Sequence, residues 1–203
     1  MNLSGWILKK AGWTFKVNLT MPDKCVIVIA PHTSNWDFIL GELGIHSVGM
    51  KAGFLMKDTW FFFPMGSLLK ALGGIPVNRR QHGNLTQSIV EAYNTTPKLA
   101  IGVTPEGTRS ANPNWHKGSI FMARDAKVPL VLAYFDYDKK VVCIDREFEL
   151  SDDADADLLR IKQYFQQHGR GKYPEKFVTG LEYTTGIAGI VHPQFLFLIH
   201  YLI

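Results

Sequence analysis

The chain has 203 residues, of which 46% are hydrophobic and 20% charged, so it can form one domain with a sizeable core. Its net charge of +4 suits anionic partners such as phosphate, coenzyme A or an acidic lipid surface, but is too small to indicate nucleic-acid binding. Cys25 and Cys143 are too few for a disulfide framework or a metal cluster, and their apolar neighbours predict buried free thiols.

The first 20 residues form an amphipathic segment. Its aromatic and aliphatic residues, mixed with Lys9, Lys10 and Lys16, are typical of a helix on a membrane surface. Gly5 and Gly12 weaken such a helix, and packing against the domain explains the same pattern, so both interpretations stand. The segment lacks the apolar core and cleavage site of a signal peptide, which makes the cytoplasm the expected compartment.

A strand, a polar loop and a helix follow one another between residues 26 and 45. Residues 26–30 predict a buried strand, and Asn35 is available as the N-cap of the helix. The loop places His32 five residues before Asp37, a spacing that suggests a base and its orienting carboxylate. The alternative is a solvated loop histidine beside an aspartate that favours a helix N-terminus, and the pair alone does not decide.

Residues 53–57 predict a second strand, which ends at Lys57 and leads into four consecutive aromatic residues at 60–63. These aromatic residues predict either core burial or an exposed surface for lipid or an acyl chain. Residues 73–79 then predict a turn and a short strand that ends at the cation Arg79.

The following elements are predicted next: a helix at 84–94, a strand at 98–103, a helix at 116–127, a hairpin of 128–135 with 141–144, and a helix at 151–168. The tail at 186–203 is apolar but interrupted, which predicts core docking or interfacial contact rather than a membrane span. No linker or repeat divides the chain, so residues 1–203 are predicted to form a single domain with a motif-bearing core at 24–148.

Alternating strands and helices predict an α/β domain with a mostly parallel mixed sheet flanked by helices. The loop of His32 and Asp37 and the loop at 106–109 should then meet at one edge of the sheet, with Arg79 and Lys57 at two further strand ends. A histidine–aspartate pair beside cations can deprotonate a hydroxyl group while the cations hold a phosphate on the same molecule.

Three motifs in this order resemble the glycerolipid acyltransferases of the 1-acylglycerol-3-phosphate acyltransferase type. They are His-x-x-x-x-Asp from His32, Gly-Gly-Ile-Pro-Val-Asn-Arg to Arg79, and Pro-Glu-Gly-Thr-Arg to Arg109. The resemblance covers residues 24–135 and implies the glycerol-3-phosphate acyltransferase-like fold. Pro31, Asn78 and Ala133 depart from the residues common in that family, which leaves the acceptor subclass open.

The resemblance also implies a role for each motif. His32 would be the general base on the acceptor hydroxyl, and Asp37 would orient it and stabilise the imidazolium. The remaining motif residues would bind substrate, the cations by holding an acidic head group and the others by shaping its pocket: Lys57, Arg79, Arg109, Glu106, Gly107 and Thr108. No metal is implied, and no cofactor beyond the acyl-CoA or acyl-carrier protein (acyl-ACP) that serves as co-substrate.

The function implied is transfer of a fatty acyl group to a lysophospholipid hydroxyl, most directly that of 1-acylglycerol-3-phosphate, in phospholipid biosynthesis. The expected partners are these substrates, acyl-carrier protein and the inner face of a membrane, where the protein would be peripheral. Two alternatives stand beside it. The acceptor could be a lyso-aminolipid or another hydroxylated amphiphile, or the chain could be a non-catalytic lipid-binding module of the same fold.

Overall fold

Strands and helices alternate in the computed structural model, which describes residues 2–49, 51–71, 73–77 and 82–181. The side chains of residues 51, 52, 57, 77 and 82–88 lie outside this description. The elements are α1 (Leu3–Lys10), β1 (Thr14–Val17), β2 (Lys24–Ala30), α2 (Asn35–Ser47), β3 (Lys51–Lys57), α3 (Met65–Ala71), β4 (Gly74–Val77), α4 (His82–Thr95), β5 (Leu99–Val103), α5 (Gly118–Ala126), β6 (Leu130–Asp136), β7 (Val141–Phe148) and α6 (Ala154–His168), with 3₁₀ turns at Asp58–Trp60 and Pro174–Lys176.

The described strands form one seven-stranded sheet in the order β1-β7-β6-β2-β5-β3-β4. Strands β2 to β6 are mutually parallel, while β7 pairs antiparallel with β6 through the predicted hairpin and β1 pairs parallel with β7. The predicted mixed, mostly parallel α/β fold is therefore confirmed. The central strand β2 is buried along most of its length, which explains its unbroken apolar run.

The two faces of the sheet are packed differently. On one face, α4, α5 and α6 cover a continuous core that includes Val28, Ile101, Leu132 and Phe165. On the other face, α1 and α2 cover two smaller clusters, one around Ile27 and Ile45 and one around Leu40 and Phe135. The second face holds the cavity described below.

Local sequence explains where the helices that frame the site begin. Helix α2 starts with a capping box, because Ser34 Oγ accepts the N–H of Trp36 and the Asp37 carboxylate accepts the N–H of Ser34. The predicted N-cap, Asn35, is therefore wrong by one residue. Helix α6 starts at the N-cap Asp153, with two further aspartates in its first turn.

The amphipathic N-terminal segment is helical only in its first part. Gly12 has a φ of 75°, which ends the helix and turns the chain into β1. β1 then pairs with β7 at one edge of the sheet. The apolar tail predicted at 186–203 lies outside the described residues. Within the described part, no helix combines the length and apolar character needed to cross a membrane.

Candidate active site

The candidate site lies at the carboxyl ends of three neighbouring strands, β5, β2 and β6. His32 follows β2 by two residues, and Glu106 follows β5 by three. Tyr137 comes directly after β6. Because the three strands are parallel, their carboxyl ends share one edge of the sheet, and residues far apart in sequence meet there.

Asp37 joins the His32 loop to the first turn of α2. Its Oδ2 atom accepts hydrogen bonds from the backbone N–H groups of Thr33 and Ser34, each at 2.8 Å. Its Oδ1 atom accepts a hydrogen bond of 2.5 Å from the Tyr137 hydroxyl. The side chain is only 1% exposed, so water does not weaken these bonds. Asp37 is thus held in one orientation without a substrate.

The His32 imidazole lies against this carboxylate. Its Nδ1 atom is 3.4 Å from Asp37 Oδ2, and the side chain is 20% exposed. Nδ1 is buried and makes no hydrogen bond to any described residue. A shift of a few tenths of an ångström would convert its close contact with Asp37 into a hydrogen bond. With Nδ1 turned to the carboxylate, Nε2 is the nitrogen left for a substrate proton. The pair has the parts of a general base with its orienting acid.

Glu106 braces the His32 loop from the neighbouring strand end. Its Oε1 atom accepts the backbone N–H of His32 at 2.8 Å. The side chain is buried, and its Oε2 atom has no hydrogen-bond partner among the described residues. Burial raises the pKa of Glu106 to about 8, and the negative charge of Asp37 adds to this, while hydrogen bonds from backbone N–H groups oppose it. The carboxyl group is therefore mostly protonated at neutral pH.

Tyr137 is a residue that the sequence analysis missed. It contacts Asp37 through its hydroxyl, and its ring packs edge-on against Trp13 at 4.9 Å between centroids. Burial and the adjacent Asp37 carboxylate raise the pKa of the phenol, which keeps it a hydrogen-bond donor. The available signal was a polar residue two positions after the strand predicted at 128–135, because strand ends at one edge of a sheet converge.

A cavity of about 640 Å³ extends from the His32 loop between α2 and the sheet. Small residues leave this space open: a Cβ atom built on Gly102 would meet nothing closer than Gly53 O at 3.9 Å. One on Gly41 would approach only the Phe135 ring, at 4.0 Å. The lining is mostly apolar and includes Phe15, Ile27, Ile29, Phe38, Ile45, Phe54, Leu55, Met56, Phe135, Val142 and Ile144. Such a space suits a hydrocarbon chain whose end lies beside His32.

Comparison with known proteins agrees with this geometry. Residues 13–135 match the family model described as Acyltransferase. The chain belongs to the Acyltransferase family. Its structure is similar to that of the 1-acyl-sn-glycerophosphate (LPA) acyltransferase PlsC from Thermotoga maritima, with a TM-score of 0.56 and 17% identity over 81% of this chain and 76% of that chain. At this identity the likeness concerns the fold. No curated protein matches the sequence.

In this member of the Acyltransferase family, some of the predicted substrate-binding residues line the cavity, and others lie outside the described part of the structure. Gly107, Thr108 and Arg109 line the cavity, and Arg109 is the one lysine or arginine among the described side chains that do so. Lys57 ends β3, but its side chain lies outside the described part of the structure. Arg79 lies outside the described residues altogether. Among those described, no group of three or more His, Cys, Asp or Glu side chains is placed to hold a metal ion.

Gly107 is needed for the shape of its loop. Its φ of 67° lies in the left-handed region, where side chains are strained. A Cβ atom at this position would also lie 2.6 Å from Cδ2 of His116. The glycine therefore lets the loop turn tightly between Glu106 and Arg109.

The segment after α6 also reaches the His32 loop, which the sequence analysis did not anticipate. The backbone N–H of Tyr173 donates to Thr33 Oγ1 at 3.3 Å. The Lys172 ammonium lies 5.6 Å from the ring centre of Trp36, which is itself exposed. This segment adds the cation Lys172 and the aromatic residue Tyr173 next to the His32 loop.

Large apolar side chains are exposed on several elements of the protein. The aromatic run at 60–63 is not core: Phe63 is 89% exposed, and Trp60 and Phe62 are more than half exposed. Further exposed apolar residues lie on α1, α2 and α3: Leu3, Trp6, Ile7, Trp36, Phe38, Ile39, Met65 and Leu68. Of the two interpretations of this run, an exposed apolar surface is the one that agrees with the structure.

Proposed function

We propose that this acyltransferase moves a fatty acyl group from an acyl thioester to a hydroxyl group of a lysophospholipid, with 1-acylglycerol-3-phosphate as the leading acceptor. The observation that carries the proposal is the His32–Asp37 pair, which lines a mostly apolar cavity of about 640 Å³. The cavity accommodates the acyl chain, and the imidazole lies where the thioester end of that chain would react.

The reaction needs one base and no covalent enzyme intermediate. As the acceptor oxygen attacks the thioester carbonyl carbon, its proton passes to His32, and the new C–O bond forms. The C–S bond then breaks, and the leaving thiolate takes the proton from the imidazolium. Asp37 favours the charged imidazolium in between, and such proton transfer typically contributes about 10²–10⁴-fold to the rate.

The charge of the site supports an anionic acceptor. Arg109 is exposed at the cavity, and a guanidinium group can hold phosphate oxygens in a bidentate manner. Lys57 and Arg79 are proposed to assist it. The mild basicity of the chain, with a net charge of +4, suits either coenzyme A or an acidic carrier protein as the donor.

Attachment to the inner face of a membrane is part of the proposal. Phe38 lines the cavity and is also exposed, so the cavity reaches the surface among apolar side chains. A Trp60→Ser/Phe63→Ser double variant should bind less to vesicles that contain anionic lipid, because exposed aromatic residues contribute to interfacial binding. The matched control is Leu159→Ser, an exposed apolar residue on α6. Equal cosedimentation of both variants with wild type would refute this attachment.

The catalytic proposal is tested by mass spectrometry of the lipid products. The full chain is incubated with 1-acylglycerol-3-phosphate or a lyso-aminolipid and long-chain acyl-CoA or acyl-ACP. His32→Ala should lower product formation about 10²- to 10⁴-fold, while His46→Ala, an exposed histidine on α2, should leave it unchanged. Full turnover by His32→Ala would refute the base, and lipid binding without turnover of any pair would favour the non-catalytic module.

A further inference from the structure

One carboxyl group in the cavity has no role in the reaction described above. Glu42 lies on α2 and lines the cavity together with Phe38, Ile45 and Phe54. It makes no hydrogen bond or ion pair with any other described residue. Burial raises its pKa to about 7, and no neighbouring charge contributes to this shift. Glu42 is half-buried, and its carboxyl group borders a mostly apolar space, so it is free to hydrogen-bond a polar group on a molecule that occupies that space.

The position of Glu42 along the cavity suggests what its partner is. Glu42 is five residues beyond Asp37 on α2, which is about 7.5 Å along the helix axis. The lining continues past it to Ile45, Ala100 and Ile144, so Glu42 does not close the cavity. An acyl chain that enters from the His32 end therefore passes this carboxyl group before it reaches the far end.

A plain hydrocarbon chain and a hydroxylated chain would affect Glu42 differently. The plain chain would remove water from the carboxyl group and offer no hydrogen bond in return. A hydroxyl group on the chain would donate a hydrogen bond to it instead. Sites that hydrogen-bond a substrate hydroxyl reject the analogue that lacks it far more strongly than apolar pockets reject an added methylene.

We infer that Glu42 is a specificity residue that accepts a hydrogen bond from a hydroxyl group carried on the acyl chain, in the part of the chain nearer the thioester. The favoured donors are then hydroxyacyl thioesters. The inference rests on the proposed function, since it assumes that the cavity holds the acyl chain of the donor.

The test compares acyl-CoA thioesters of one chain length, either unsubstituted or with the hydroxyl group moved along the chain. Transfer to 1-acylglycerol-3-phosphate and the Kd of each thioester are measured on the full chain. Wild type should prefer the best-placed hydroxyacyl-CoA by about 10- to 100-fold in kcat/KM and in Kd, the range expected for a hydrogen bond to a charged group. Glu42→Leu should abolish this preference, and Glu42→Gln should keep part of it.

Glu91→Leu serves as the matched control, because Glu91 is an exposed glutamate on α4. It should keep the full preference. Equal kcat/KM and Kd for the two classes of thioester in wild type, or an unchanged preference in Glu42→Leu, would overturn the inference. A Kd preference lost in Glu42→Leu, without turnover of any thioester, would support the Glu42 site and refute the proposed function instead. If Glu42→Leu does not fold, Glu42→Gln decides: a reduced preference would support the inference, and an unchanged preference would overturn it.

Discussion

Replacing Glu106 with glutamine should stabilise the protein at alkaline pH and have little effect on its stability at acidic pH. Glu106 is 4% exposed, and its pKa is raised from 4.5 to about 8, with burial as the largest cause. Glutamine keeps an acceptor oxygen for the backbone N–H of His32 and does not titrate. The substitution therefore separates the ionisation of this residue from its bracing of the His32 loop.

The sign and size of the effect follow from proton linkage. Between about pH 4.5 and about pH 8 the unfolded chain loses the Glu106 proton and the folded chain keeps it. The contribution to stability is fully present below about pH 4.5 and is lost as the pH rises through about 8. Because one pKa unit corresponds to about 1.4 kcal/mol, the loss is at most about 5 kcal/mol. Glu106→Gln avoids that loss.

The assay is urea unfolding followed by circular dichroism at about pH 5, 7 and 9, a range that spans most of the linkage window. The free energy of unfolding of Glu106→Gln minus that of wild type should increase steadily across this series. Glu175→Gln, in the exposed 3₁₀ turn, controls for the substitution itself and should show no comparable increase. A difference for Glu106→Gln that stays constant with pH, or that decreases, would show that the buried carboxyl group is ionised in the folded protein and refute the reasoning.

Two further substitutions test the cavity and the orientation of Asp37. Gly102→Leu should fill the cavity and lower kcat/KM for long-chain thioesters more than for short ones, by about fourfold for each methylene excluded. Steady-state kinetics over a series of chain lengths measure this effect, with Gly102→Ala as the smaller change. An unaltered chain-length profile would contradict the prediction. Tyr137→Phe removes a hydrogen bond to Asp37 and should lower kcat more than it changes KM. The acidic limb of its pH–rate profile should move to higher pH, because the Asp37 carboxylate then keeps more of its charge for the imidazolium. Identical profiles for this variant and for wild type would exclude the orienting role, and Tyr173→Phe is the control.

Local pattern was enough to predict most of the sheet, because those strands are short apolar runs bounded by turn or cap residues, whereas β1 lies in the segment interpreted as amphipathic and was not predicted. The strands β2, β5 and β6 were recognised in this way, and their parallel pairing followed from the helices between them. The motif residues His32 and Asp37 could likewise be assigned to a strand-end loop and a helix start. Their contact is nearly local, since a helix N-terminus places its third residue next to the loop that precedes it.

Contacts between distant segments depended on the tertiary structure. The hydrogen bond from Tyr137 to Asp37 spans 100 residues, and the one from His32 to Glu106 spans 74; each exists because particular strands are neighbours in the sheet. The cavity is also a property of the assembled layers, because its volume is what remains between α2 and the sheet after their side chains pack.

The amino-acid sequence by itself thus determined the α/β fold and the loop and helix start that carry the candidate pair His32 and Asp37. Only the tertiary structure decided which groups surround that pair and that Glu42 borders an otherwise mostly apolar space. The physical reason is that hydrophobic periodicity and capping act between residues a few positions apart. Burial, pKa shifts and cavity volume depend instead on every segment that packs around a group.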